Sequence, residues 1–208
     1  MAAGPAGWEA LHDLGRRLKA SAKAGPRDLP PLLFFTDPAR TPRPWAVAAG
    51  LPRGSGVVFR AFGAADAVNT GLKLAAVCEA RGLVLLAGAD AALAEAIGAQ
   101  GLHLPERLAG AAAGLRAARP DWILTVAAHG EAGLAQAGMV DAVVLSPVFE
   151  SASPSAGPPL GMARFTALVR ASPVPVYALG GVNEETAPEL LGSGAAGVAA
   201  VSAAVSRT

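Results

Sequence analysis

Polar side chains that could carry chemistry lie near the ends of several short apolar runs. His129 ends the run 122–129, and an imidazole with its ordinary pKa of about 6.5 can both take up and return a proton near neutrality. Arg60 lies near the end of the run 56–62, where a guanidinium suits a phosphate or a carboxylate. His129 is therefore our candidate general acid or base. The structural alternatives are that His129 caps the helix expected after Gly130 and that Arg60 pairs with Asp37.

The last quarter of the chain predicts an anion site. The run 174–179 stops at Gly180 and Gly181, and the run 197–204 contains Val201 and Ser202. Glycine lets a backbone amide approach a ligand closely, and amides that follow two neighbouring parallel strands can bind a phosphate. These four residues are our candidate phosphate site, with a simple turn at the two glycines as the alternative.

Three further polar residues lie at the ends of apolar runs and could contact a substrate: Thr36, His103 and Ser146. Of these, His103 lies between two leucines. A histidine in that position is also compatible with a satisfied place in the core.

The elements that must position these residues are eight short apolar runs separated by helical patterns or loops. The runs cover residues 32–37, 56–62, 83–86, 101–104, 122–129, 142–149, 174–179 and 197–204. Eight strands in about 170 residues predict a (β/α)8 TIM barrel, in which the active site lies at the carboxyl ends of the strands. A doubly wound sheet is the alternative, but it would carry a glycine-rich nucleotide turn after the first strand, and residues 36–39 do not form one.

The connections predict helices of different lengths. We expect helices at 64–81 and 91–97, one containing Leu108 and Leu115, one around Phe165, and one that opens at Asn183. The connection 38–51 predicts a loop or a single turn, and the helix after the eighth strand is expected to be short or missing.

An amphipathic leader helix is predicted in residues 1–30, ahead of a barrel in residues 31–208. The apolar residues Trp8, Leu11, Leu14 and Leu18 recur there at helical spacing. The basic residues Arg16, Arg17, Lys19 and Lys23 lie beside them. They form either a solvated face or a contact for an acidic partner.

Composition excludes several classes of protein. A net charge of +1 gives no general attraction to nucleic acid or to an anionic membrane. No uncharged apolar run reaches the roughly 18 residues of a membrane span, and residues 1–7 lack the pattern of a secretion signal. The one cysteine, Cys78, excludes an internal disulfide and favours a buried packing role in a reducing cytoplasm.

A metal site is not predicted. Asp90 and Glu106 are the carboxylates that follow strands three and four, and acids at those positions also suit the first turns of helices.

Together these motifs resemble the thiamine phosphate synthase family, which includes the thiazole tautomerase TenI. The resemblance covers about residues 32–204 and is strongest in 98–104, in 146–149 and in the two closing runs. It implies a (β/α)8 barrel with a thiazole phosphate held by Gly180, Gly181, Val201 and Ser202. It also implies a homo-oligomer whose partner is a small phosphorylated heterocycle.

Several positions depart from the synthase pattern. The two magnesium-binding aspartates of the family correspond to Ala89 and Leu108, and the glutamine and lysine that contact the pyrimidine diphosphate correspond to Val58 and Phe62. A diphosphate leaving group needs cationic neutralisation, and its loss costs several powers of ten in rate. The resemblance therefore predicts that this chain is not a competent synthase.

The loop after strand six departs less completely. Its residues Ser151 and Ser153 correspond to two threonines of the family pattern, whereas Pro154 replaces a lysine. We take the two serines as candidate substrate-binding residues.

Three functions remain open. The first is a TenI-like tautomerase without a cofactor, in which His129 moves a proton on the thiazole. The second is a non-catalytic phosphate-ligand binder or regulatory protein. The third is a synthase with rearranged ligands, namely Asp90, Glu106 and Arg60, and only this function would require magnesium.

Overall fold

A closed barrel of eight parallel strands forms the centre of the molecule. The computed structural model describes residues 5–151, 153 and 157–202. Each strand pairs with the next, and the last pairs with the first. The strands are β1 (Leu32–Phe35), β2 (Gly56–Phe59), β3 (Val84–Gly88), β4 (Gly101–Leu104), β5 (Ile123–Ala128), β6 (Ala142–Leu145), β7 (Val176–Ala178) and β8 (Gly197–Ala200). The predicted (β/α)8 barrel is confirmed.

Helices surround the barrel. The α-helices are α1 (Pro5–Ser21), α2 (Pro44–Ala48), α3 (Ala67–Arg81), α4 (Ala91–Ala96), α5 (Ala112–Ala118), α6 (Glu131–Ala135) and α7 (Gly161–Ala171). Three 3₁₀-helices cover Glu106–Ala111, Ala137–Met139 and Ala187–Leu190. Within the described residues no helix is both long enough and apolar enough to cross a membrane.

Alternate residues of the strands divide the core into two layers. Leu33, Phe35, Val58, Leu86 and Tyr177 are buried together inside the barrel. Their neighbours in sequence point outward and pack against the helices in a second, larger cluster. This division follows from strand geometry, since successive side chains point to opposite faces. Both faces of every strand are covered, and the strands are therefore continuous apolar runs.

The leader helix α1 packs on the outside of the barrel against β1 and β8. Its apolar residues Trp8, Leu11, Leu14 and Leu18 are buried, as its spacing predicts. The rings of Trp8 and Phe34 meet edge to face with 5.3 Å between their centroids. Helix α1 therefore completes the outer layer between the first and last strands.

The segment between α1 and β1 is held at the amino-terminal end of the barrel by polar contacts. Inside the barrel, Tyr177 donates a hydrogen bond from its hydroxyl to the carbonyl of Pro30. Asp141 is buried and accepts hydrogen bonds from Arg116 (2.7 Å) and from the amide of Leu124 (2.7 Å), and Arg27 lies 3.3 Å away. The linker is thus tied to β5, β6 and β7 by buried polar contacts.

Several strands are shorter than the apolar runs predict. Strand β2 ends at Phe59 rather than Phe62, and β5, β6 and β8 end at Ala128, Leu145 and Ala200. The chain leaves the sheet where the ladder stops, and Phe62 has a left-handed φ of 48° that a strand does not accommodate. The predicted strand residues 203 and 204, and any helix after them, lie outside the described residues.

The connections match the predicted helices in part. Helix α2 is the single short helix expected between β1 and β2, and α3 begins at Ala67 rather than at residue 64. The prediction of an α-helix that opens at Asn183 is wrong. The Asn183 side chain accepts hydrogen bonds from the amides of Glu185 and Thr186, but only a turn and the 3₁₀-helix Ala187–Leu190 follow. Pro188, in the first turn of that segment, supplies no amide for helical hydrogen bonds.

Candidate functional site

Arg60 is fixed at the carboxyl end of the barrel by its neighbours on β1. Its amide donates to the Thr36 hydroxyl (2.9 Å), and its Nε donates to the Thr36 carbonyl (2.7 Å). Its terminal nitrogen lies 3.8 Å from Asp37, so the predicted ion pair is present at long range. Thr36 is buried, and its role here is to hold Arg60.

Aromatic rings also confine the Arg60 guanidinium. It lies 5.6 Å from the centroid of Phe35 and 5.3 Å from that of Phe62, which is 72% exposed. The side chain crosses Gly88, where an added Cβ would come within 3.2 Å of it. Burial lowers the pKa of Arg60 from its ordinary value, while Asp37 acts in the opposite direction. A partly desolvated cation of this kind gains most from an anionic ligand.

His103 lies in the barrel interior. It is buried, its Nδ1 is 3.0 Å from the Thr125 hydroxyl, and its ring meets Phe35 edge to face at 4.8 Å. Burial lowers the pKa of His103 to about 3, and Arg60 contributes in the same direction. His103 is therefore a neutral, satisfied core residue, which is the alternative that its position between two leucines favours.

His129 pairs with Glu106 at the rim between β4 and β5. Its Nδ1 lies 2.6 Å from Glu106 Oε2, and its amide donates to the same oxygen at 2.9 Å. A carboxylate only accepts hydrogen bonds, so Nδ1 is the donor, and Nε2 forms no hydrogen bond with another described residue. The side chain is 60% exposed, so a ligand can reach it.

The two glycines after β7 are required by the backbone. Gly180 and Gly181 have φ values of 92° and 68°. A Cβ on Gly180 would lie 2.6 Å from Pro147, and one on Gly181 would lie 2.3 Å from the Glu150 carbonyl. The sequence predicts that a ligand approaches these glycines closely. In the structure the loop after β6 makes this close approach.

The ends of β7 and β8 nevertheless expose backbone amides at one edge. The Gly180 and Gly181 carbonyls accept hydrogen bonds from Phe149 and Thr186. No hydrogen bond joins the amides of Gly180, Gly181 or Ser202 to another described residue. Val201 and Ser202 are half-buried and directly follow β8, the neighbour of β7. The four predicted phosphate residues thus lie on adjacent strand ends.

The remaining predicted residues follow β6. Ser146 is half-buried, and its amide donates to the Ala128 carbonyl at 3.0 Å. The amide of Ser153 donates to the Ser151 hydroxyl at 3.3 Å, and both residues are half-buried. Pro154 lies outside the described residues. This loop is therefore beside the glycines after β7.

The carboxylates at this edge do not suit magnesium. Asp90 caps α4 by accepting from the Leu93 amide at 2.9 Å, and Glu106 holds His129. Asp37 accepts from the amides of Ala39 and Arg40. The described part of the chain holds no group of three or more His, Cys, Asp or Glu side chains that could hold a metal ion. Oxygen ligands would have to converge on such an ion.

Two features of the site are not predicted from the sequence. They are the pairing of His129 with Glu106 and the exposed ring of Phe62. A signal for the pairing exists, because Glu106 and His129 each follow the ends of neighbouring strands in barrel order. The left-handed backbone of Phe62 has no such signal.

Comparisons with known proteins agree with this architecture. A profile of the family described as thiamine monophosphate synthase matches residues 44–204, more than half of the chain. The thiamine-phosphate synthase of Alcanivorax borkumensis is 30% identical over 144 residues, which cover 65% of this chain and 64% of that protein. The enzyme of the same name from Pediococcus pentosaceus is 32% identical over 117 residues, or 54% of each chain. The chain thus spans between half and two thirds of the lengths of these relatives.

Among solved structures, the thiamine phosphate pyrophosphorylase from Pyrococcus furiosus superposes with a TM-score of 0.67. The superposition covers 89% of this chain and 86% of that one at 19% sequence identity. At that identity the likeness concerns the fold. The names of the sequence relatives favour the synthase alternative over the TenI-like tautomerase.

Proposed function

Because the chain belongs to the thiamine monophosphate synthase family, we propose that it binds a phosphorylated thiazole and joins it to a pyrimidine diphosphate with release of diphosphate. The observation that carries this proposal is the position of Arg60. Its guanidinium is held at the carboxyl end of the barrel, where enzymes of this fold place their active sites.

The thiazole phosphate would bind at the ends of β7 and β8. The amides of Gly180, Gly181 and Ser202 are not used by other described residues, and the Ser202 hydroxyl adds a donor. Backbone amides at such an edge bind phosphate without a competing side chain. The loop with Ser151 and Ser153 contacts the turn at Gly180 through Phe149, and its hydroxyls would contact the second substrate.

Arg60 would neutralise the charge that develops on the leaving diphosphate. Two Thr36 contacts orient the side chain, and the rings of Phe35 and Phe62 shield it from water. A fixed cation in a partly dry site stabilises developing charge more than a mobile one in water does. Because Ala89 and Leu108 stand where the family has its magnesium aspartates, the leaving diphosphate is neutralised less completely and we expect a slow reaction.

The test is chromatographic measurement of thiamine phosphate formed from the two substrates. Arg60→Ala should lower the rate by about 100-fold, the usual effect of losing one charge-stabilising donor. Arg107→Ala is the matched control, since Arg107 is an exposed arginine near the same edge and should leave the rate unchanged. Formation no faster than in buffer would refute the synthase proposal.

A tautomerase is the second candidate, and the pairing of His129 with Glu106 favours it. A proton shuttle needs a base with a free nitrogen in a fixed orientation, which Nε2 of His129 provides. No metal or leaving group is required. Glu106 would be a positioning residue that selects the tautomer, since it bonds the other ring nitrogen.

This candidate is tested by following conversion of the non-aromatic thiazole phosphate carboxylate to its aromatic tautomer by NMR. His129→Ala should abolish the enzyme-dependent rate. Glu106→Gln should keep part of it and change its pH profile, because an amide can donate to the ring as well as accept from it. Equal rates for the wild type, His129→Ala and buffer would exclude the tautomerase.

A further inference from the structure

A cavity of about 730 Å³ opens at the amino-terminal end of the barrel, opposite the candidate site. It lies beneath α1, beside Pro31 at the start of β1 and Val84 at the start of β3. Sites for small molecules have volumes of about 300–1,000 Å³. The cavity is therefore large enough for an organic ligand, and nothing in the proposed function uses it.

Basic side chains from two parts of the chain converge on this cavity. His12, Arg16 and Lys19 are spaced four and three residues apart on α1, so they share one face of the helix. Arg53 comes from the connection that precedes β2 and lines the same cavity. Because these basic side chains come from two separate elements, they line a concave site and do not form only a stripe along one helix.

The positive charge of the cavity is only partly balanced. Lys19 pairs with Asp28 and also donates to the Leu29 carbonyl. In the part of the chain that the structure describes, neither Arg16 nor Arg53 has a carboxylate within ion-pair distance. Guanidinium groups bind phosphate through two parallel hydrogen bonds, and an unpaired guanidinium loses no ion pair when it does so.

The other wall of the cavity is apolar. Leu29, Pro30, Pro31 and Val84 contribute to it. Such a wall can pack against the carbon skeleton of a ligand. An inorganic anion alone would leave this apolar surface exposed to water.

We propose that this cavity is a second binding site, which takes a phosphorylated organic molecule through Arg16, Arg53 and Lys19. The phosphate groups contact the basic side chains of Arg16, Arg53 and Lys19, and the organic part packs against the proline-containing wall. The site is independent of the proposed reaction, because its residues lie at the opposite end of the barrel from Arg60 and Gly180.

His12 gives the site a pH dependence. Burial is the main cause that lowers the pKa of His12, and Arg16 acts in the same direction. Asp13 and a backbone hydrogen bond with Arg53 oppose them, and the Lys19–Asp28 pair lines the same cavity. A bound anion stabilises the imidazolium and so raises the pKa of His12 back towards its ordinary value, which means that His12 takes up a proton on binding only below about pH 6.5.

The experiment is isothermal titration calorimetry with ADP and with inorganic diphosphate at low ionic strength. Arg16→Gln and Arg53→Gln should each weaken ADP binding about tenfold, the effect of losing a charged hydrogen-bond pair. Asp28→Asn should tighten it, because it frees Lys19 and removes the one carboxylate among the described residues that line the cavity. ADP should bind more tightly than diphosphate, because only ADP reaches the apolar wall.

Arg17→Gln is the matched control, since Arg17 is the exposed neighbour of Arg16 and does not line the cavity. Arg60→Gln controls for binding at the other end of the barrel. Circular dichroism of each variant establishes that it is folded. An equal loss in Arg17→Gln would mean diffuse attraction to a basic surface, and a loss confined to Arg60→Gln would mean binding at the rim. Either result, or the absence of saturable ADP binding, overturns the proposal.

Discussion

At the scale of single residues, backbone geometry and burial decide which polar groups are available. Gly180 and Gly181 hold a left-handed turn against the loop after β6, and their amides form no hydrogen bond with another described residue. His103 is buried, whereas His129 is exposed at the rim. The two histidines at strand ends therefore differ in what they can do.

Gly181→Ala should destabilise the fold by about 2 kcal/mol, because alanine would have to adopt φ near 68° and its Cβ would contact the Glu150 carbonyl. Urea unfolding measures the change. Gly114→Ala in α5 is the control, since no atom lies within 4 Å of the added Cβ. That variant should be neutral or stabilising, because alanine favours helix. Destabilisation of equal size in both would contradict the argument.

His103 should make stability depend on pH. Its folded pKa of about 3 is below the ordinary value of 6.5, so the unfolded chain binds a proton first as the pH falls. The contribution of neutral His103 to the free energy of unfolding is present above pH 6.5 and is lost below it. The loss is about 2 kcal/mol between pH 7 and pH 5. Urea unfolding at several pH values in this range should show that the free energy of unfolding of His103→Gln changes less with pH than that of the wild type. The same slope in both proteins would show that His103 is not the group responsible.

At the scale of elements, α1 is part of the barrel wall rather than an appendage. It covers β1 and β8, and the linker that follows it is anchored by Asp141 and by Tyr177. Gly15 shows how closely the helix approaches, because a Cβ there would lie 2.1 Å from the Pro31 carbonyl.

Leu11→Ala should therefore lower the free energy of unfolding by about 2–5 kcal/mol, since Leu11 is completely buried beneath α1. The unfolding should remain a single transition when followed both by tryptophan fluorescence and by circular dichroism. Arg17→Ala on the exposed face is the control and should change the stability by less than about 0.5 kcal/mol. A separate early transition in Leu11→Ala would mean that α1 folds independently of the barrel.

At the scale of the whole molecule, the barrel separates two ends with different chemistry. The carboxyl ends of the strands present Arg60, the His129–Glu106 pair and open amides. The amino-terminal end presents the basic cavity beneath α1. The two proposed anion sites therefore lie at opposite ends of the barrel.

A homo-oligomer stays a prediction at this scale, and α3 offers a surface for it. Val68 and Leu72 are 46% and 50% exposed at adjacent turns of α3. Covering them would remove apolar surface from water. Light scattering after gel filtration should show a dimer or larger species that Leu72→Glu dissociates. Leu191→Glu, at another exposed leucine, should leave it intact. A monomeric wild type would refute the prediction.

The sequence by itself determined the eight-strand barrel, the buried face of α1 and the edge at which the polar residues gather. These features follow from apolar periodicity, which is a local property of the sequence, and from the number and order of the strands. Only the tertiary structure decided that His103 is enclosed, that Glu106 holds His129, and that Arg16 and Arg53 face one cavity. Each of these depends on where strand ends and loops bring side chains distant in sequence, and no local pattern specifies that distance.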